Sequence, residues 1–117
     1  MATDRHFVDY VLEQAGLAGR IAARQMFGEY ALYLDGTLVA WCADNSLYCK
    51  LVPATATLLA DLPQQPLYPG SKAHALADAL LDEPARLRAV LLALQALLPP
   101  PQPKPPRREA APGRRRR

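Results

Sequence analysis

A chain of 117 residues, half of them apolar, has room for one hydrophobic core and not for two, and it should bury about 60 to 70% of its unfolded surface. No uninterrupted apolar run approaches the ~20 residues that cross a bilayer; the longest apolar-rich stretch, Val90 to Leu98, is broken by Gln95 and followed by Pro99. The formal charge of +3 averages two unlike parts: residues 1–98 carry seven basic against ten acidic side chains, a net −3, whereas from Pro99 on seven basic side chains stand against Glu109 alone, a net +6.

The opening Met-Ala-Thr-Asp-Arg-His has no basic segment followed by an apolar one and a cleavage site, so a cytoplasmic location is expected. The first element reads as a helix. Thr3 or Asp4 can cap it, Phe7, Tyr10, Val11 and Gln14 recur at helical spacing, and Gly16 suits the left-handed terminator. Residues 21–27 and 30–34 then read as extended, with Gly28 a bend or bulge between them. Asp35-Gly36 is a strong type I′ hairpin signal, residues 38–43 follow as a strand, Asp44-Asn45 turns the chain, and 46–51 returns.

With two-residue loops and strict alternation, Leu34 faces Thr37, Leu32 faces Val39, Tyr30 faces Trp41, Cys42 faces Leu47 and Trp41 faces Tyr48. One sheet face then holds Ala31, Tyr33, Leu38, Ala40, Cys42, Leu47 and Cys49. The other holds Tyr30, Leu32, Leu34, Val39, Trp41 and Tyr48. Helices can cover one of these faces. Tyr30, Leu32, Val39, Trp41 and Tyr48 are therefore the candidate interaction surface, for a partner protein or a second copy in a homodimer, unless another segment of the chain folds over them.

Downstream, residues 54–62 read as a helix between Pro53 and Pro63 with Leu58, Leu59 and Leu62 inward. Residues 65–68 read as an edge strand, Pro69-Gly70-Ser71-Lys72 as a turn, and 73–77 as a last strand or a helical start. A final helix follows, capped by Asp82, with Pro84 in its first turn and Leu87, Val90, Leu91, Leu94, Leu97 and Leu98 at core spacing. The tail, 99–117, holds seven of the twelve prolines and no aromatic or large aliphatic residue, so it is expected to be disordered and partly polyproline II. Arg107, Arg108, Arg114, Arg115, Arg116 and Arg117 are candidate nucleic-acid contacts, beside the plainer reading of a solubilising extension.

Catalytic chemistry is hard to find. His6 and His74 lie in different elements without Cys or carboxylate neighbours at metal-ligand spacing, and neither Ser46 nor Ser71 sits in a Gly-x-Ser-x-Gly elbow. Gly70-Ser71-Lys72 is a weak anion-cradle signal. Cys42 and Cys49 share a face diagonally, ~7 to 8 Å apart and beyond disulfide reach, as reduced core thiols or, less simply, a redox sensor.

Three runs, Met26-Phe27-Gly28-Glu29-Tyr30-Ala31-Leu32-Tyr33-Leu34-Asp35-Gly36, Leu47-Tyr48-Cys49-Lys50 and Leu67-Tyr68-Pro69-Gly70-Ser71-Lys72, with the closing leucine-rich helix, resemble the N-terminal domain of the TfoX/Sxy family of competence regulators. The resemblance covers roughly residues 5–99, and the Pro/Arg tail stands where full-length members carry a second, helical domain. It implies an α+β two-layer fold, an antiparallel β-meander packed against helices in the order α-β-β-β-β-α-(β)-α. It also implies a non-enzymatic regulatory role in partnership with a transcription regulator, with no catalytic residue and no cofactor. A nucleic-acid-associated protein acting through the tail, and a small ligand-binding or redox-sensing protein, are the alternatives.

Overall fold

The structure is a computed structural model that describes residues 3–99. Its backbone is a six-stranded, wholly antiparallel sheet with two α-helices: α1 (Arg5–Ala15), β1 (Ile21–Met26), β2 (Glu29–Leu34), β3 (Thr37–Ala43), β4 (Ser46–Cys49), β5 (Gln64–Pro66), β6 (Ala73–Leu76) and α2 (Pro84–Leu97). The sheet order is β1-β2-β3-β4-β6-β5, so the expected α+β two-layer fold stands; the edge strand expected at 65–68 is β5, and of the two readings of 73–77 the strand forms, as β6. The tail arginines and the expected disorder of the tail lie outside the described residues. Among the described residues no helix is long and apolar enough to cross a membrane.

Three two-residue turns build the meander. Phe27-Gly28, Asp35-Gly36 and Asp44-Asn45 all have positive φ at both positions (53° and 82°, 50° and 85°, 50° and 56°), the conformation a type I′ hairpin requires. The first was not expected: Phe27 ends no strand but occupies the hairpin tip, and Gly28 is its second turn residue rather than a bulge.

The bulge lies elsewhere. Tyr33 faces Leu38, but Leu32 faces Ala40, so Val39 is an extra residue in β3. From there Ala31 faces Trp41 and Tyr30 faces Cys42, which corrects the expected pairs Leu32 with Val39 and Tyr30 with Trp41. The pairs Leu34 with Thr37, Cys42 with Leu47 and Trp41 with Tyr48 occur as expected. One inserted residue reverses the side on which every later side chain of β3 points. Tyr30, Leu32, Leu34 and Val39 thus lie on the same face as Ala40, Cys42, Leu47, Cys49 and Ala75, all in the core beneath the helices. Trp41 and Tyr48 lie on the opposite face.

Gly16 ends α1 in the left-handed conformation, φ 67°, and a Cβ there would come within 2.6 Å of the Arg88 guanidinium. That closeness serves a purpose: Arg88 Nε donates to the Ala15 carbonyl at 3.2 Å, so α2 caps the end of α1. Val8, Val11 and Ala15 of α1 meet Leu87, Val90, Leu91 and Leu94 of α2 over the sheet.

Two helical expectations are corrected. Residues 54–62 form not an α-helix but a 3₁₀ turn, Pro53–Thr55, and further tight turns, although Leu59 and Leu62 are buried as expected. The Thr55 hydroxyl donates to the Lys50 carbonyl and accepts from the Val52 amide, so a β-branched side chain competes for backbone groups in a segment confined by two prolines. Asp82 does not cap α2; it ends a 3₁₀ segment, Asp78–Asp82, and the cap position falls to Glu83, which Pro84 keeps out of the helical region at φ −132°, ψ 72°. Leu97, expected inward, is exposed.

The N-terminal segment is tied to the hairpin tips. The Thr3 amide donates to the Gly28 carbonyl (2.9 Å) and the Asp4 amide to Asn45 Oδ1 (2.9 Å). Glu29 Oε1 accepts from both the Thr3 hydroxyl and the Asp44 amide. Glu29→Ala removes both bonds, leaving the Thr3 hydroxyl the Cys42 carbonyl at 3.2 Å and the exposed Asp44 amide to water, and should lower unfolding stability by about 0.5–1.5 kcal/mol, measured as a lower urea midpoint at unchanged slope.

Candidate functional site

Past the bulge, β3 presents Trp41 and Ala43 to the face away from the helices, opposite Tyr48 and Ser46 of β4. This face is not bare. Ala31, Ala43 and Tyr48 are buried on it and Trp41 is half-buried, because part of the chain folds over it. The covering piece is the connection from β5 to β6, which arches back with the β1–β2 hairpin tip to enclose a cleft of about 680 Å³. Trp41 and Ala43 belong to its floor, Met26, Phe27 and Glu29 to one wall, and Leu67, Tyr68, Gly70, Ser71, Lys72 and His74 to the other.

Each wall has a local cause. In the β5–β6 connection, the Ser71 amide donates to the Tyr68 carbonyl at 3.0 Å across Pro69-Gly70, with Gly70 at φ 90°. Proline at the first central position and a positive-φ glycine at the second are what a type II turn asks for. The Tyr68 amide in turn donates to Ser71 Oγ (3.2 Å), and His74 Nδ1 lies 3.0 Å from the Lys72 carbonyl. On the other wall Phe27 sits at φ 53° with its side chain fully exposed, 100%. A bulky aromatic residue in the left-handed region, with none of the described residues covering it, combines backbone strain with unburied apolar surface.

The cleft has little chemistry of its own. Glu29 is already engaged by Thr3 and Asp44, and Ser71 Oγ bonds to the backbone of Tyr68 and Lys72 rather than to His74. No nucleophile and base are therefore paired there. Among the described residues no group of three or more His, Cys, Asp or Glu side chains could hold a metal ion. Lys72 supplies the one full positive charge of the lining.

Cys42 and Cys49 are buried and free, opposite Leu47 and Ala40 respectively and so diagonal to one another. Burial pushes both thiols up to about 12, with Asp78 adding repulsion at Cys42. The thiolate that a sensor would need is disfavoured at both positions.

Of the five sheet residues proposed as an interaction surface, the fold brings only Trp41 and Tyr48 together on the open face; Tyr30, Leu32 and Val39 are core. Tyr30 instead packs under the start of α1, with the Arg5 guanidinium 5.6 Å from its ring centroid. The residues missed are Phe27, Leu67 and Tyr68. The signal for Phe27 was the Phe-Gly pair between two extended runs, which is the length and composition of a tight hairpin loop.

Phe27→Asn relieves the left-handed strain, since asparagine tolerates that region, and removes no buried contact. It should raise unfolding stability by about 1 kcal/mol, seen as a higher melting temperature, although it strips the cleft of its exposed aromatic.

The sequence model of the TfoX N-terminal domain matches residues 13–96. The chain is also 36% identical over 104 residues to the "Uncharacterized 12.7 kDa protein in trpE 5'region" of Spirochaeta aurantia, a match that covers 89% of this chain and 90% of that protein. The fold that positions the cleft is thus that of a known sequence family, and the chain belongs to the TfoX N-terminal domain family.

Proposed function

We propose that this chain is a non-enzymatic, regulatory protein-interaction module, and that it holds a segment of a partner protein in the cleft over Trp41. The observation that carries this reading is Phe27: wholly exposed, in a strained backbone conformation, on the lip of a cleft floored by a half-buried tryptophan. Strain of this kind persists where it serves a site, and aromatic anchors beside a pocket are the usual centres of binding energy at protein interfaces. The cleft volume also suits a small ligand. A small molecule inside it would leave the outward ring of Phe27 in water, whereas a protein surface covers cleft and ring together.

Two of the runs that resemble the competence regulators, 26–36 and 67–72, lie about forty residues apart and meet at this cleft. That convergence supports a partner engaged in gene regulation, in keeping with the family resemblance. The basic tail is a second point of attachment in this reading, through phosphate contacts of Arg107, Arg108 and Arg114 to Arg117.

The test is a photo-crosslinking residue at position 27 of the full chain in its own host, with position 89, exposed on α2, as control. The expected result is one protein joined at 27 and not at 89, with the purified protein binding wild type at least tenfold more tightly than Trp41→Ala. Equal labelling at 27 and 89, or binding that ignores Trp41→Ala, would contradict the proposal. Deleting 99–117 separates the tail: it should lower retention on nucleic acid at low salt and leave the protein partner bound.

A further inference from the structure

The two edges of the sheet are treated differently. At the β5 edge, Pro63, Pro66 and Pro69 fall in or beside a three-residue strand, and proline on a short edge strand is a common guard against pairing with another chain. At the β1 edge the strand is six residues long, Ile-Ala-Ala-Arg-Gln-Met, without proline, glycine or bulge, and among the described residues β2 is the one strand that pairs with it.

The direction of its backbone groups follows from the hairpin. The Asp35 amide donates to the Arg20 carbonyl at 2.8 Å, so Arg20 and Asp35 form a hydrogen-bonded pair. Such pairs alternate along an antiparallel ladder. Counting along the register, Ala22, Arg24 and Met26 turn their N–H and C=O toward β2, and Ile21, Ala23 and Gln25 turn theirs outward, where no strand of the described residues lies; the Ile21 amide is taken by the Leu17 carbonyl at 3.1 Å, so the amides open to a partner strand are those of Ala23 and Gln25.

We propose that the β1 edge is a self-pairing surface, on which a second copy of this chain adds its own β1 antiparallel about a two-fold axis and joins two sheets into one. A second copy is the occupant that the side chains fit. Opposed residues in an antiparallel pair share a face, so an isologous β1 pair that uses most of the strand has two registers, centred on Ala23 or on Arg24. Centring on Arg24 sets two guanidinium groups against each other. Centring on Ala23 places Ala23 against its own copy, Ile21 against Gln25 and Arg24 against Ala22, so that each Ala23 amide donates to the other copy's Ala23 carbonyl and each Gln25 amide to the other copy's Ile21 carbonyl. The small side chains of Ala22 and Ala23 allow close approach at the axis. This surface is separate from the cleft floor, and the pairing does not depend on the cleft having a partner.

Sedimentation of the full chain over a concentration series tests it. The wild type should pass from monomer to dimer. Ala23→Pro and Gln25→Pro each delete an outward N–H without touching the β1–β2 ladder, and each should remain monomeric at every concentration with an unchanged far-ultraviolet circular dichroism spectrum. If a proline variant does not fold, amide exchange on the wild type decides the matter: the amides of Ala23 and Gln25 should be protected at high concentration and exchange freely on dilution. A wild type that stays monomeric, a dimer that survives both proline variants, a dimer dispersed by Trp41→Lys instead, or free exchange of those amides in the dimer would overturn the proposal.

Discussion

One extra residue in β3 decides what this domain shows to the outside. With Val39 inserted between the partners of Tyr33 and Leu32, the helix face of β3 reads Thr37, Val39, Ala40, Cys42, and Trp41 is sent to the other side. Without the bulge, strict alternation would place Trp41 opposite Tyr30 beneath the helices and Cys42 outside. The small inward residues Ala40 and Cys42 are fully buried in the core beneath the helices, and the largest side chain of the strand goes to the other face. Packing density in a core this small makes the exchange consequential, because a tryptophan under α2 would force the two layers apart.

The cleft depends on that placement and on two turns. The Phe27-Gly28 hairpin and the Pro69-Gly70 turn are each local devices, set by a few residues with the right backbone preference. Their meeting is a property of the whole sheet: β1–β2 enters from one side of β3 and the β5–β6 connection from the other. Glu29 stiffens the first wall through Thr3 and Asp44, so the start of the chain, the hairpin tip and the β3–β4 turn hold one another. A rigid frame beneath an exposed aromatic suits recognition, because little ordering entropy is lost on binding.

Much of this was legible in the sequence, and what was not has physical causes. The hairpins at Asp35-Gly36 and Asp44-Asn45 and the register of β3 against β4 followed from turn chemistry. The final helix followed from its leucine spacing. Alternation cannot reveal a bulge whose neighbours Val39 and Ala40 are both apolar, since either parity looks acceptable, and the candidate surface was therefore divided wrongly between core and exterior. The segment 54–62 has helical composition, but the Thr55 hydroxyl bonds Lys50 and Val52, which holds the first turn as 3₁₀, and the stretch ends at Pro63 before propensity alone could sustain an α-helix. The cleft needed the β5–β6 connection to fold back over the sheet, a long-range arrangement that local pattern does not encode.

The placement of Trp41 on the open face is the claim from which the rest follows, and it is the sole tryptophan of the chain. Its fluorescence is therefore a direct reporter. Acrylamide should quench the native protein's emission readily, from a maximum intermediate between buried and fully hydrated indole. A blue-shifted emission that acrylamide does not reach in the native protein would place Trp41 under the helices, and with it would go the bulge, the cleft and the proposed interaction surface.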